Sequence, residues 1–211
     1  MILSHVVSDS VLCATAVLSL AWYRTHLNGQ LRSYLSITVA LIGVTASLGA
    51  LRFMGFSEFG EPTDTAARLG ETVGIAAFAL AFWSAMVAPL PPRVAIGLLA
   101  AAFLLFVGVL VFEMNTLSLP VQAVGILTLA FLAITRRQQH PRASTWLGIG
   151  LLLYVTGAVA YPALADIVDT PFLGSLDIYH YCIVAAILAI SRSAACLSRE
   201  RTGATARASM S

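Results

Sequence analysis

The segment Leu176-Asp177-Ile178-Tyr179-His180-Tyr181-Cys182 opens the last long apolar stretch of the chain, and it sets a carboxylate, an imidazole and two phenols among residues typical of a lipid-facing helix. Ionisable groups are expensive in such a setting and mark function by default. Asp177, His180, Tyr181 and Val184 fall at i, i+3, i+4 and i+7, so the acid, the imidazole and the Tyr181 phenol share one helical face. On the first apolar stretch His5, Asp9 and Cys13 line up in the same way at i, i+4 and i+8, with His5 at a position that can fall outside the membrane. Three chemistries fit these groups. Asp177 and His180, with Glu71 as a further carboxylate, can hold a divalent metal such as zinc and activate water. The same pair can serve as a general base with an orienting acid. Alternatively the carboxylates neutralise Arg52 and keep helices in register.

Depth links these residues to others. Asp177 lies 15 residues before Arg192 and His180 lies 12 before it, roughly 22 and 18 Å at the helical rise of 1.5 Å per residue. The same ruler places Asp9 roughly 22 Å from Arg24, Gln122 roughly 21 Å from Arg136 and Tyr154 roughly 18 Å from Arg142. Polar side chains from four helices therefore share one layer, and Arg52, Arg68, Glu71, Glu113, Asn115 and Tyr161 form a second set nearer the boundary. The opposite halves of these helices carry no ionisable group until the terminal arginines, which favours a cavity open on one side over a conduit through both leaflets. The expected site has Asp177, His180 and Glu71 as catalytic groups and Asp9, Arg52, Gln122, Tyr154 and Tyr181 as ligand contacts. It would bind, and hydrolyse or modify, a lipid-like or small amphiphilic substrate. The alternative is a small-solute transporter or a non-catalytic subunit of a membrane complex. Each residue also has a purely structural reading: Asp177 as a helix cap, His180 and Gln122 as interhelical hydrogen-bonding groups, Tyr161, Tyr179 and Trp146 as interface anchors.

The elements that must position this layer are membrane helices. The 211 residues are 59% hydrophobic and 10% charged, with a mean hydropathy of +0.88, too few charges to solvate a globular surface. Seven stretches are long enough to span about 30 Å of hydrocarbon: 7–23, 33–56, 67–88, 94–112, 119–135, 145–164 and 175–197. They lack period-two alternation, which predicts an all-α polytopic protein and not a barrel. The segment 57–65 reads as a loop rich in Gly, Pro and acids. Ten of the twelve arginines, all but Arg52 and Arg68, fall on one side of the spans, while Glu58, Glu61, Asp64, Glu113, Asp166 and Asp169 fall on the other. The positive-inside rule then puts the N-terminus outside and the C-terminus in the cytoplasm of a cell inner (plasma) membrane. Residues 1–197 form the membrane domain and 198–211 a disordered basic tail. With no lysine, a retinal Schiff base is excluded, and a net charge of +2 gives no footprint for nucleic acid. The bilayer, an amphiphilic or small-molecule ligand, and an oligomeric or subunit partner are the expected associates. Cys13, Cys182 and Cys196 lack CxxC spacing and read as buried thiols.

The plan resembles the seven-helix membrane hydrolases of the CREST group, which includes the alkaline ceramidases and the adiponectin-receptor-like proteins. Those proteins carry Ser and His on span two, Asp on span three and a His pair four residues apart on span seven, together holding zinc against a lipid amide. Here Ser47 lies on span two with Arg52 near the histidine position, Glu71 is on span three, and His180 on span seven is flanked at four residues by Leu176 and Val184. The resemblance covers helix count and a polar layer with an incomplete triad, and it implies lipid chemistry.

Overall fold

The computed structural model describes residues 3–112, 118–164, 168 and 173–208; Glu113, Asn115, Asp166 and Asp169 lie outside them. The elements are α1 (Leu3–His26), α2 (Gly29–Phe53), a 3-10 turn (Ser57–Phe59), α3 (Gly60–Leu69), a π-helical turn (Gly70–Gly74), α4 (Ile75–Met86), α5 (Pro92–Val111), α6 (Ser118–Thr135), α7 (Pro141–Leu164) and α8 (Ser175–Ala208). The described residues contain no strand. The 3-10 turn, α3, the π-turn and α4 run on as one rod, so seven helical stretches are long and apolar enough to cross a bilayer.

Local chemistry explains the breaks. Gly29 adopts φ 59°, a left-handed conformation that lets α1 reverse into α2 across Asn28-Gly29. Pro89, Pro91 and Pro92 end one helix and start the next, with Pro92 in the first turn of α5, where its missing N–H has no intrahelical role. The segment expected to be a loop at 57–65 is helical instead. Glu61 and Pro62 occupy the first turn of α3, where a negative charge and a proline both favour helix initiation. The backbone of α8 continues as helix past Leu197, to Ala208.

Six helices close a ring in the order α1, α2, α4, α6, α7, α8 and back to α1. Close approach along its seams depends on small residues. A Cβ on Gly43 would lie 3.0 Å from that of Ala16, and one on Gly157 would lie 2.7 Å from that of Cys182. Likewise a Cβ on Gly125 would meet Ile75 Cγ1 at 2.6 Å, and one on Gly150 would meet Ile190 Cγ1 at 2.8 Å. α5 lies outside the ring against the span-three rod and α6. It is the most apolar span, with a mean hydropathy of 2.9, and side chains such as Ile96, Leu104 and Val111 are left for lipid. The two ends of the ring differ. At the end holding the α1–α2 turn, Tyr23, Phe82, Leu132, Leu147 and Leu197 fill the axis, and the Tyr23 hydroxyl hydrogen-bonds Ser191 Oγ at 2.8 Å. At the other end, where α1 and α8 begin, the axis is a cavity.

Candidate functional site

The site starts with the way α8 begins. Asp177 lies in its first turn and accepts a hydrogen bond on Oδ2 from the Gly174 N–H at 2.8 Å, so the carboxylate caps the helix where the dipole favours negative charge. The other oxygen, Oδ1, turns to α1 and accepts from Ser8 Oγ at 2.7 Å and from His5 Nδ1 at 2.8 Å. Both oxygens of this buried carboxylate are thus satisfied from fixed positions on two helices.

Ser8 extends the chain of contacts. Its Oγ is also 3.1 Å from His180 Nδ1, and that nitrogen is 3.2 Å from Asp9 Oδ1. A hydroxyl has one proton, and at 2.7 Å from a carboxylate oxygen it goes to Asp177; Ser8 therefore accepts from His180. With Ser8 Oγ as its acceptor and the Asp9 carboxylate close by, His180 carries the proton on Nδ1, which leaves the Nε2 lone pair open. Among the described residues Nε2 makes no hydrogen bond, and His180 lines the cavity. Ser8, hydrogen-bonded to Nδ1 and itself donating to Asp177, fixes the ring and tautomer, and the Asp9 carboxylate lies beside the same nitrogen as an ion-pair partner; with the free nitrogen on the cavity side, this arrangement suits a general base.

Asp9 makes room for itself against α2. Its Oδ2 has no hydrogen-bond partner although it is buried, and it lies over Gly49, where a Cβ would sit only 2.6 Å away. No arginine hydrogen-bonds into the His5–Asp177–Ser8–His180–Asp9 network among the described residues.

The cavity measures about 450 Å³, within the range of about 300–1,000 Å³ usual for small-molecule sites. It is elongated. Along α2 it is lined from Arg52 down to Leu35, roughly 25 Å at the helical rise, and along α8 from Leu176 to Ile190, roughly 21 Å. Its chemistry changes with depth: Asp9, His180, Glu71 and three tyrosines mark the end where α1 begins, and the deeper walls are apolar, with Val39, Phe78, Leu151, Ile187 and Ile190. Glu71 sits in the π-turn, whose extra residue per turn offsets the side chains that follow it. The turn is supported from α2 by Thr38 Oγ1, which donates to the Gly74 carbonyl at 2.8 Å. Glu71 also borders a smaller cavity of about 270 Å³ with Asp64, Arg68, Val109 and Ser118, on the α5 side of the rod.

The structure brings Asp9, Asp177 and His180 together and places Glu71 and Tyr154 on the walls of the same cavity. Other expected contacts are corrected. Asp177 serves α1 and does not line the cavity. Arg52 pairs with Asp64 at 3.4 Å, not with Asp9 or Glu71, because its position at the end of α2 lies opposite α3, the segment expected to be a loop. Gln122 makes only a 3.5 Å contact to Ser118 on its own helix and is not on the cavity wall. Tyr181 is 41% exposed on the outside of the ring, and Tyr179 and Tyr161, expected to be interface anchors, line the cavity instead. The expected metal pair is not assembled either. Asp177 has both oxygens engaged, His180 offers the cavity one nitrogen, and no group of three or more His, Cys, Asp or Glu among the described residues is arranged to hold an ion.

Two members of the network, His5 and Ser8, were not expected as site residues. His5 shares a face with Asp9, but its place near the helix start suggested a group outside the membrane. A lone serine on an apolar helix carries no signal of its own; only its position one turn from His5, on the side facing α8, distinguishes it.

These features define a class: a multi-pass membrane protein with a ring of six helices, a seventh helix outside it, and a buried acid–histidine pair beside an amphiphilic axial cavity. Residues 4–199 match DUF6962, a family of unknown function, and the chain belongs to that family. No curated protein and no solved structure matches it.

Proposed function

We propose that this protein binds a lipid-like amphiphile in the axial cavity and modifies its polar end by general-base chemistry at His180. The observation that carries this reading is the segregated lining of one elongated cavity, with its charged side chains gathered at the end where Asp9 and His180 lie and its deeper walls mostly apolar, interrupted by Thr38 and Thr45. A long apolar tail matches the deep walls, and a polar head then rests within reach of His180 Nε2. There Nε2 takes a proton from a water that attacks an ester or amide carbonyl of the head and returns it to the leaving alcohol or amine, while Ser8 accepts from the Nδ1–H and the Asp9 carboxylate beside it stabilises the imidazolium that forms. The filled axis at the other end of the ring supports a dead-end pocket over a transport conduit.

The distribution of arginine supports an orientation with the N-terminus and the cavity mouth outside and the C-terminus in the cytoplasm of an inner (plasma) membrane. The test of function is to incubate purified protein with a host-membrane lipid extract and follow bound and altered lipids by mass spectrometry. The expected result is a co-purifying amphiphile whose head-group conversion is lost in His180→Gln while the amphiphile stays bound. Conversion that persists in that variant would remove the catalytic role, and protein free of any amphiphile would remove the binding role.

A further inference from the structure

The charges on the cavity wall restrict what its polar end can accept. Asp9, Asp64 and Glu71 line it, against one guanidinium, Arg52, and His180. Arg52 is already matched, with Nη1 3.4 Å from Asp64 Oδ1 and the guanidinium 5.9 Å from the centre of the Phe53 ring. Arg68, the other cation near Glu71, lines the smaller cavity on the far side of the rod. Glu71 has Ser118 and the Arg68 guanidinium on that side, so Asp9 is the carboxylate of the axial cavity with no guanidinium to balance it. Asp9 is 3% exposed, and its Oδ2, packed over Gly49, has no hydrogen-bond partner, so its negative charge is left without a hydrogen-bonding counterpart on that oxygen. Beside these carboxylates stand the rings of Tyr154, Tyr161 and Tyr179, the latter two with centroids 5.9 Å apart. Aromatic rings with carboxylates are the usual surroundings of an organic ammonium group.

We infer that the ligand of the axial cavity is a cationic amphiphile, an alkyl ammonium whose charged nitrogen lies between Asp9, Glu71 and the three tyrosines and whose chain follows the apolar walls toward Ile190. This rests on the reading of the cavity as an amphiphile site and specifies its head group. The ammonium supplies the missing positive charge, and in a low-dielectric site an attraction of that kind is little screened.

Three probes of equal chain length separate the two levels: dodecyltrimethylammonium, dodecanol and dodecanoate, each added below micellar concentration to the full chain in nanodiscs and read by native mass spectrometry. The expected order is ammonium over alcohol by about tenfold or more, with dodecanoate weakest. Asp9→Asn and, independently of it, Glu71→Gln each reduce the preference for the ammonium probe and leave dodecanol binding intact; Tyr179→Leu, which removes a ring and no charge, also reduces it. Equal binding of all three probes overturns the cationic ligand and keeps the amphiphile cavity. Preference for dodecanoate overturns it in favour of Arg52 as an anion clamp. Binding of none removes the amphiphile reading and this one with it.

Discussion

Gly49→Ala probes the support of the Asp9–His180 pair most sharply. A Cβ at this position would lie 2.6 Å from Asp9 Oδ2, 3.1 Å from its Cγ and 3.3 Å from Oδ1. Ordinary contact begins near 3.4 Å, so the carboxylate must move by roughly 0.8 Å or the two helices must part. Asp9 Oδ1 lies 3.2 Å from His180 Nδ1, and a displacement of that size alters this ion-pair contact. Overpacking of this kind costs about 1–3 kcal/mol, a fall of several degrees in Tm for a chain of this length. Thermal unfolding in nanodiscs measures it, with Gly97→Ala as control, since a Cβ there meets nothing within 4 Å. The decisive comparison is the same substitution in an Asp9→Ala background. Removing the carboxylate removes the clash, so Gly49→Ala becomes nearly neutral and the pair shows a coupling of about 1–3 kcal/mol. An undiminished penalty in the Asp9→Ala background would refute the placement of Asp9 over Gly49.

Further outcomes follow from the same contacts. Asp177→Asn removes charge from an acceptor of three hydrogen bonds and is expected to destabilise the protein by about 3 kcal/mol in thermal unfolding, with no change in the preference among amphiphile probes, because Asp177 is off the cavity wall. Tyr181→Leu faces outward from the ring and should alter stability by no more than about 0.5 kcal/mol and leave ligand binding unchanged. Asp64→Ala breaks only an exposed ion pair with Arg52, expected to matter by less than about 1 kcal/mol in the same assay. Gly157→Ala drives a Cβ to 2.7 Å from Cys182 Cβ at the α7–α8 seam and should cost about 1–3 kcal/mol in unfolding.

The spans were readable because bilayer thickness demands a minimum apolar length, and prolines 89, 91 and 92 mark a break that the structure keeps. The helical character of 57–65 was hidden because acids, Gly and Pro suit both an outer loop and the first turn of a helix. Within the site, depth was legible and rotation was not. Counting from the arginines put Asp9, Asp177 and His180 at one level, and they meet there. Helical spacing showed that Asp177, His180 and Tyr181 lie near one another around α8 without saying which direction faces the axis. The observed lining, through Leu176, Tyr179, His180 and Ile183, centres the inner face so that Asp177 turns to α1 and Tyr181 to lipid. The partners of Arg52, on α3, and of Ser8, on α8, follow from which helices adjoin in space, and local patterns do not record that order.

In the proposed function the ring axis holds an amphiphile tail with its head at His180. Photolabelling the protein in nanodiscs with an alkyl ammonium that carries a diazirine at its chain terminus tests this directly, with the labelled peptides mapped by mass spectrometry. Label is expected on deep wall residues such as Phe78, Leu151, Ile187 and Ile190, suppressed by excess unlabelled compound. Label confined to outward side chains such as Leu104 on α5 and Leu188 on α8, insensitive to competitor, would contradict it.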